Sequence, residues 1–144
     1  MSFGKYSETT FIKLLKTNIY TIEKNSIGYA VIILKDFIPC EIHVNHKKLF
    51  LEHIVNTVKK SLEISKKYNK LNSGVDLYVN DCGPRNFSLP FFKKINKILS
   101  ETFVDSLGEF NIYSNSPIFN NVWKIIRVLI DRDTREKINI IVFK

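Results

Sequence analysis

The feature that most constrains this chain is a repeated change of hydrophobic period, from the two-residue alternation of strands to the 3.6-residue spacing of helices and back. Ser7 is placed to cap a short first helix that carries Phe11, Leu14 and Leu15 on one face and ends near Asn18. Residues 19–23 and 29–34 are β-rich, and Lys24-Asn25-Ser26-Ile27-Gly28 between them reads as a hairpin. Pro39 closes the second strand, because proline removes a ladder donor and holds Ile38 extended. Residues 47–68 form a long amphipathic pattern, with Leu51, Ile54, Val55, Val58, Leu62 and Ile64 on one side and lysines elsewhere. A buried-type strand is expected over 75–79, followed by the turn Asn80-Asp81-Cys82-Gly83-Pro84. Ser88 caps the next helix, whose Pro90 is tolerated in the first turn and whose apolar face is Phe91, Ile95, Ile98 and Leu99. Gly108 then interrupts the chain before a strand over 109–113, a helix over 118–130 and a last strand over 137–143. Strands separated by helices require crossover connections, so the expected fold is α/β with a mostly parallel sheet, helices packed against it and an N-terminal β-hairpin. The organisation is an N-terminal helix over 1–18 and a single domain over 19–144.

The totals fit one domain. At 144 residues, 44% of them hydrophobic, the chain is long enough to bury a core without a disulfide or metal staple. Cys40 and Cys82 form no CxxC pair, which points to reduced thiols in an intracellular, cytoplasmic protein. His43 and His46 are close in sequence, but no Cys or acid stands at a supporting metal spacing. The longest apolar runs, 30–34 and 138–143, fall far short of the ~20 residues that span a bilayer, so any membrane contact is expected to be peripheral. The net charge of +8 comes mostly from lysine. It suits either an anionic lipid surface or nucleic acid, and it also suits a merely lysine- and asparagine-rich composition. The lysines are spread over several elements without interleaved exposed aromatics, which argues against nucleic acid.

Catalytic and nucleotide motifs are missing from the pattern. There is no GxGxxG, no GxxxxGK[ST] and no GxSxG. Gly83-Pro84-Arg85 follows a strand, but Pro84 has no N–H to offer a phosphate. Asp131 and Asp133 have no neighbouring histidine and read as a solvated helix end. The expectation is a non-enzymatic protein with no cofactor.

Asn115–Ile138 is the informative stretch. Pro117 opens an unusually apolar helix in which Phe119, Trp123, Ile126 and Ile130 share one face and Val122, Ile125 and Leu129 an adjacent one. That band is wider than a helix lying on one sheet requires. A deeply buried core helix and a helix covering an apolar ligand would share this pattern.

The run from Asn115-Ser116-Pro117 through Phe119, Trp123 and Asp131 to Thr134-Arg135-Glu136-Lys137-Ile138 resembles the signature of the CRAL-TRIO lipid-binding domain family. Phe103–Phe110, Val75–Gly83 and Ile27–Ile33 resemble weaker segments of that family in the same order. The resemblance implies a sheet floor and helical walls around a pocket for one phospholipid or other small hydrophobic molecule, with the helix over 117–130 as its gate. It implies ligand-contacting roles for Phe119, Trp123, Ile126, Leu129, Leu77 and Tyr113. It further places Asp105 and Lys137 where phosphoinositide-binding members contact a headgroup, and it implies transient contact with an anionic membrane. Against the family pattern the chain is shortened at both ends. The second expectation is therefore a protein-interaction or dimerisation module with a degenerate pocket.

Overall fold

The computed structural model describes residues 7–115, 120–121, 123–124 and 127–142. The first helix, α1 (Glu8–Asn18), is capped as expected, with the Ser7 hydroxyl accepting from the Thr10 amide. Strands β1 (Ile19–Lys24) and β2 (Ile27–Ile33) form the antiparallel hairpin. Its two-residue turn places Asn25 and Ser26 at φ of 53° and 65°, the left-handed geometry whose twist matches paired strands. Pro39 starts a one-turn 3₁₀ helix, Pro39–Glu41, which leads into the 24-residue α2 (Val44–Lys67). Then follow β3 (Ser73–Tyr78), a 3₁₀ turn at Pro84–Asn86, α3 (Leu89–Thr102) and β4 (Leu107–Ser114). After β4, residues 120, 121, 123 and 124 are helical, and a 3₁₀ turn covers Arg127–Leu129. The expected helix over 118–130 therefore does not continue in α form to its end. A short α4 (Arg132–Glu136) precedes β5 (Ile138–Val142).

The five strands lie in sequence order, with β2 to β5 parallel. Each parallel connection steps the same way across the sheet, so right-handed crossovers put their helices on one face. Pairing aligns Ala30, Val75, Phe110 and Ile138 in one row of that face, and Ile32, Leu77, Ile112 and Ile140 in the next. α2 lies close against the hairpin because small residues meet there. A Cβ on Gly28 would stand 1.9 Å from the Ser61 carbonyl oxygen, and the Gly28 amide donates to Ser65 Oγ at 2.9 Å. The main core joins α1, α2 and the loop after β2 through Phe11, Leu15, Ile19, Phe37, Phe50 and Ile54.

The opposite face of the sheet carries a polar network in place of a helix among the described residues. Lys24, Asp76, Asn111 and Asn139 are joined side chain to side chain across it. Beside them the Tyr29 hydroxyl donates to Glu109, and Tyr78 stacks on Tyr113 at 4.5 Å.

Candidate functional site

The site grows out of the way α3 meets the sheet. Ser88 Oγ accepts from the Phe91 amide and fixes the start of α3. This directs Phe91, Ile95 and Leu99 toward Ile32 and Leu77 of one sheet row and Phe110 of the next. These side chains are bulky, with no glycine or alanine among them to let backbones approach. They meet at their tips and leave a gap. The result is an apolar cavity of about 140 Å3 between α3, α2 and the sheet, lined by Leu77, Phe110, Phe50, Ile54, Ile95 and Leu99 among others. Its few polar neighbours are Asn86, Ser88 and Asn96.

Asn86 builds one wall of this cavity. Its side-chain nitrogen reaches the carbonyls of Leu34, Lys35 and Phe37 at 3.2, 3.1 and 2.8 Å, and its side-chain oxygen accepts from the Gly83 amide at 2.9 Å. The two loops at the carboxyl ends of β2 and β3 are thereby clamped together. Arg85 reinforces the clamp at the surface through Glu41, 2.8 Å away.

A second cavity, of about 260 Å3, shares Asn96, Leu99 and Phe110 with the first. Its lining is more polar. Asp105 reaches it from the turn before β4, where its φ is 53°, while Asp131, Asp133, Thr134 and Lys137 reach it from α4 and its flanks. Asp131 caps α4. Hydrogen bonds from the Thr134 hydroxyl and amide hold its carboxyl below the usual carboxylate range. Asp131 and Asp133 thus mark a helix start rather than the end of the preceding helix.

The fold sorts the sequence-derived site residues into separate places. Leu77 lines the apolar cavity, and Asp105 and Lys137 line the polar one. Trp123 is half-buried and packs on the cluster of Val79, Cys82 and Ile112. Tyr113 stands on the opposite face of the sheet, because it follows Ile112 in a strand whose side chains alternate. Leu129 falls in the 3₁₀ turn. Phe119 and Ile126 lie outside the described residues. Sequence reasoning assigned Phe91, Ile95 and Leu99 only to a helix face, and it missed Asn86 as a wall. The run of two phenylalanines on α3 without a small residue was the available signal for the gap.

No described group of His, Cys, Asp and Glu side chains is arranged to hold a metal ion. His46 stacks on Phe11, with ring centres 4.7 Å apart. The arrangement as a whole is that of an α/β domain with an apolar cavity beside a more polar one, suited to a small hydrophobic molecule. The family model of the CRAL/TRIO domain matches residues 41–143, and the chain belongs to that family. Domains of this family bind small hydrophobic ligands. No curated protein matches the chain.

Proposed function

We propose that this domain binds the apolar chain of a lipid, or a similar small hydrophobic molecule, between α3 and the sheet, without covalent chemistry. The observation that carries this reading is the adjacency of the two cavities: an apolar chamber shares the walls Leu99 and Phe110 with a more polar one that Asp105 and Lys137 both line. The chamber's volume of about 140 Å3 resembles that of engineered apolar cavities, ~150 Å3, which stay dry and admit benzene. Drug-sized ligands occupy ~300–1,000 Å3. The chamber thus suits one end of an acyl chain, and a whole phospholipid requires α3 to move. Burial of apolar ligand surface at about 25 cal/mol per Å2 supplies the driving force.

The polar cavity bears on the ligand's other end. Three carboxylates (Asp105, Asp131 and Asp133) face one ammonium, Lys137. A multiply charged phosphoinositide headgroup would be repelled there, so an uncharged or zwitterionic polar end is favoured. The same reading sets the domain in a reducing, cytoplasmic compartment, where Cys40 and Cys82 remain thiols. Native mass spectrometry after incubation with mixed phospholipid vesicles tests the reading. A stoichiometric lipid adduct supports it, and the bare protein mass at saturating lipid would overturn it.

One observation favours a second reading as an interaction module. β5 is an edge strand, and its Ile140, Ile141 and Val142 are exposed, Val142 by 68%. Such an edge can accept another strand. A dimer in sedimentation that is lost in Ile141→Lys would support pairing there, and a wild-type monomer at all concentrations would remove it.

A further inference from the structure

α3 carries one residue out of keeping with the face on which it stands. Phe92, Asn96, Leu99 and the helix-ending Phe103 recur at intervals of four, three and four, so the helix sets them in one row. All four are half-buried. Three are bulky and apolar, and Asn96 is an amide in the place where the stripe calls for another such side chain. Leucine there would be the better helix former and would cover more apolar surface. An amide withdrawn from water costs stability unless it finds a partner, and Asn96 makes no side-chain hydrogen bond among the described residues. The other polar residues of the apolar cavity are already engaged. Asn86 is held by its four hydrogen bonds, and Ser88 caps α3. Among the described residues Asn96, Leu99 and Phe110 line both cavities, and of these three Asn96 is the polar one. A local rule is therefore broken at the junction of the two cavities, where a ligand passing from one to the other would meet it.

We propose that Asn96 determines the specificity of this site by hydrogen-bonding an uncharged hydroxyl on a ligand whose apolar end fills the chamber beneath α3. The proposal rests on the binding reading above and adds the class of ligand, a hydroxyl-bearing amphiphile. A carboxamide can both donate to a hydroxyl oxygen and accept from its hydrogen, so one such group meets both of its halves. A plain hydrocarbon would leave the amide unmet. A carboxylate would find Asn96 as a donor, but it would also face Asp105, Asp131 and Asp133 in the adjoining cavity, with Lys137 the one cation lining it among the described residues. Pockets of this kind take their affinity from apolar walls and their selectivity from a few placed polar groups, and Asn96 is placed in that way.

The chamber accepts a benzene-sized group, so toluene, benzyl alcohol and benzoate are the probes, alike in the ring and different in what it carries. Their dissociation constants are measured by NMR titration of the wild type and of Asn96→Leu. The quantity read is the affinity for benzyl alcohol relative to that for toluene. Asn96→Leu should lower this ratio by at least about fivefold, because the hydroxyl then loses its partner. Toluene itself should bind the variant as tightly as the wild type or more so. The variant should also melt at or above the wild-type temperature, since the amide has no partner within the protein to lose. The same ratio in both proteins, with toluene still bound, would overturn the role of Asn96 and leave the binding reading intact. A variant that melts lower would show that the amide serves the fold, and would overturn it too. Benzoate bound more tightly than benzyl alcohol by the wild type would overturn the uncharged class of ligand. Failure of all three probes to bind the wild type would overturn the binding reading itself, and this proposal with it.

Discussion

Lys24 reaches from β1 across the ring of Tyr29 on β2 to place its ammonium 2.6 Å from Asp76 on β3. Asp76 is 1% exposed and also accepts from Asn111 at 3.0 Å, while the lysine side chain remains 38% exposed. A buried carboxylate is thus held by one neutral and one charged donor on the face of the sheet away from the cavity. Replacing Lys24 by Met leaves that carboxylate with a single donor. The expected loss is about 1–3 kcal/mol in urea unfolding, discounted because water reaches the lysine side. Lys16→Met, on an exposed face of α1, should change stability by less than about 0.5 kcal/mol.

Asn86 is the residue on which the cavity wall depends. Asn86→Ala removes a donor shared by three carbonyls and the acceptor for Gly83. Stability is expected to fall by about 2–6 kcal/mol, summed over four bonds worth ~0.5–1.5 each. Asn86→Asp should be no better, because a carboxylate would face the same carbonyl oxygens. If thermal melting finds both variants within a degree of wild type, the clamp is not structural.

Leu99 separates the two cavities and offers opposite tests. Leu99→Ala should join them, lowering stability by about 1–3 kcal/mol for a half-buried side chain and increasing uptake of an apolar fluorophore. Leu99→Trp should fill the space and suppress uptake. Fluorophore titration that shows no difference between the two would place the ligand elsewhere.

The alkaline limb of stability has a definite sign. Burial, with Asp81 and Asp36 nearby, pushes the Cys82 thiol up to about 11 from an ordinary 9.0. Burial and the Glu109 hydrogen bond raise Tyr29. Burial opposes the charge on Lys24, but the hydrogen bond and charge of Asp76 outweigh it and raise that group too. Each holds its proton more tightly folded than unfolded, so the unfolded chain releases protons first and stability declines as pH rises through this range. Cys82 contributes a loss of about 2–3 kcal/mol between its ordinary and raised values. Chemical denaturation from pH 8 upward should show the decline, beginning later in Cys82→Ala. In the native protein at pH 8, iodoacetamide should modify the exposed Cys40 and spare the buried Cys82.

Elements that depend on near neighbours were legible in the chain itself. The Ser7 and Ser88 caps, the Asn25-Ser26 turn, the α2 stripe and the alternation that demands a parallel sheet all follow from contacts within a few residues. The family signature in Asn115–Ile138 was likewise legible, and the match over 41–143 agrees with it. The arrangement of the site was not. Leu77 and Tyr113 both sit on central strands, yet they face opposite sides because pairing aligns Leu77 with Ile112. Asp105 and Lys137 share a cavity only because β4 and β5 start side by side. The gap beneath α3 depends on how far three bulky side chains hold a helix from a sheet, and the reach of Asn86 depends on two loops meeting. Periodicity and capping are set by local geometry along the chain, so the sequence determined the elements and their order. Register, crossover hand and packing distance arise from contacts between residues far apart, and only the tertiary structure decided where the cavity opens and which side chains face it.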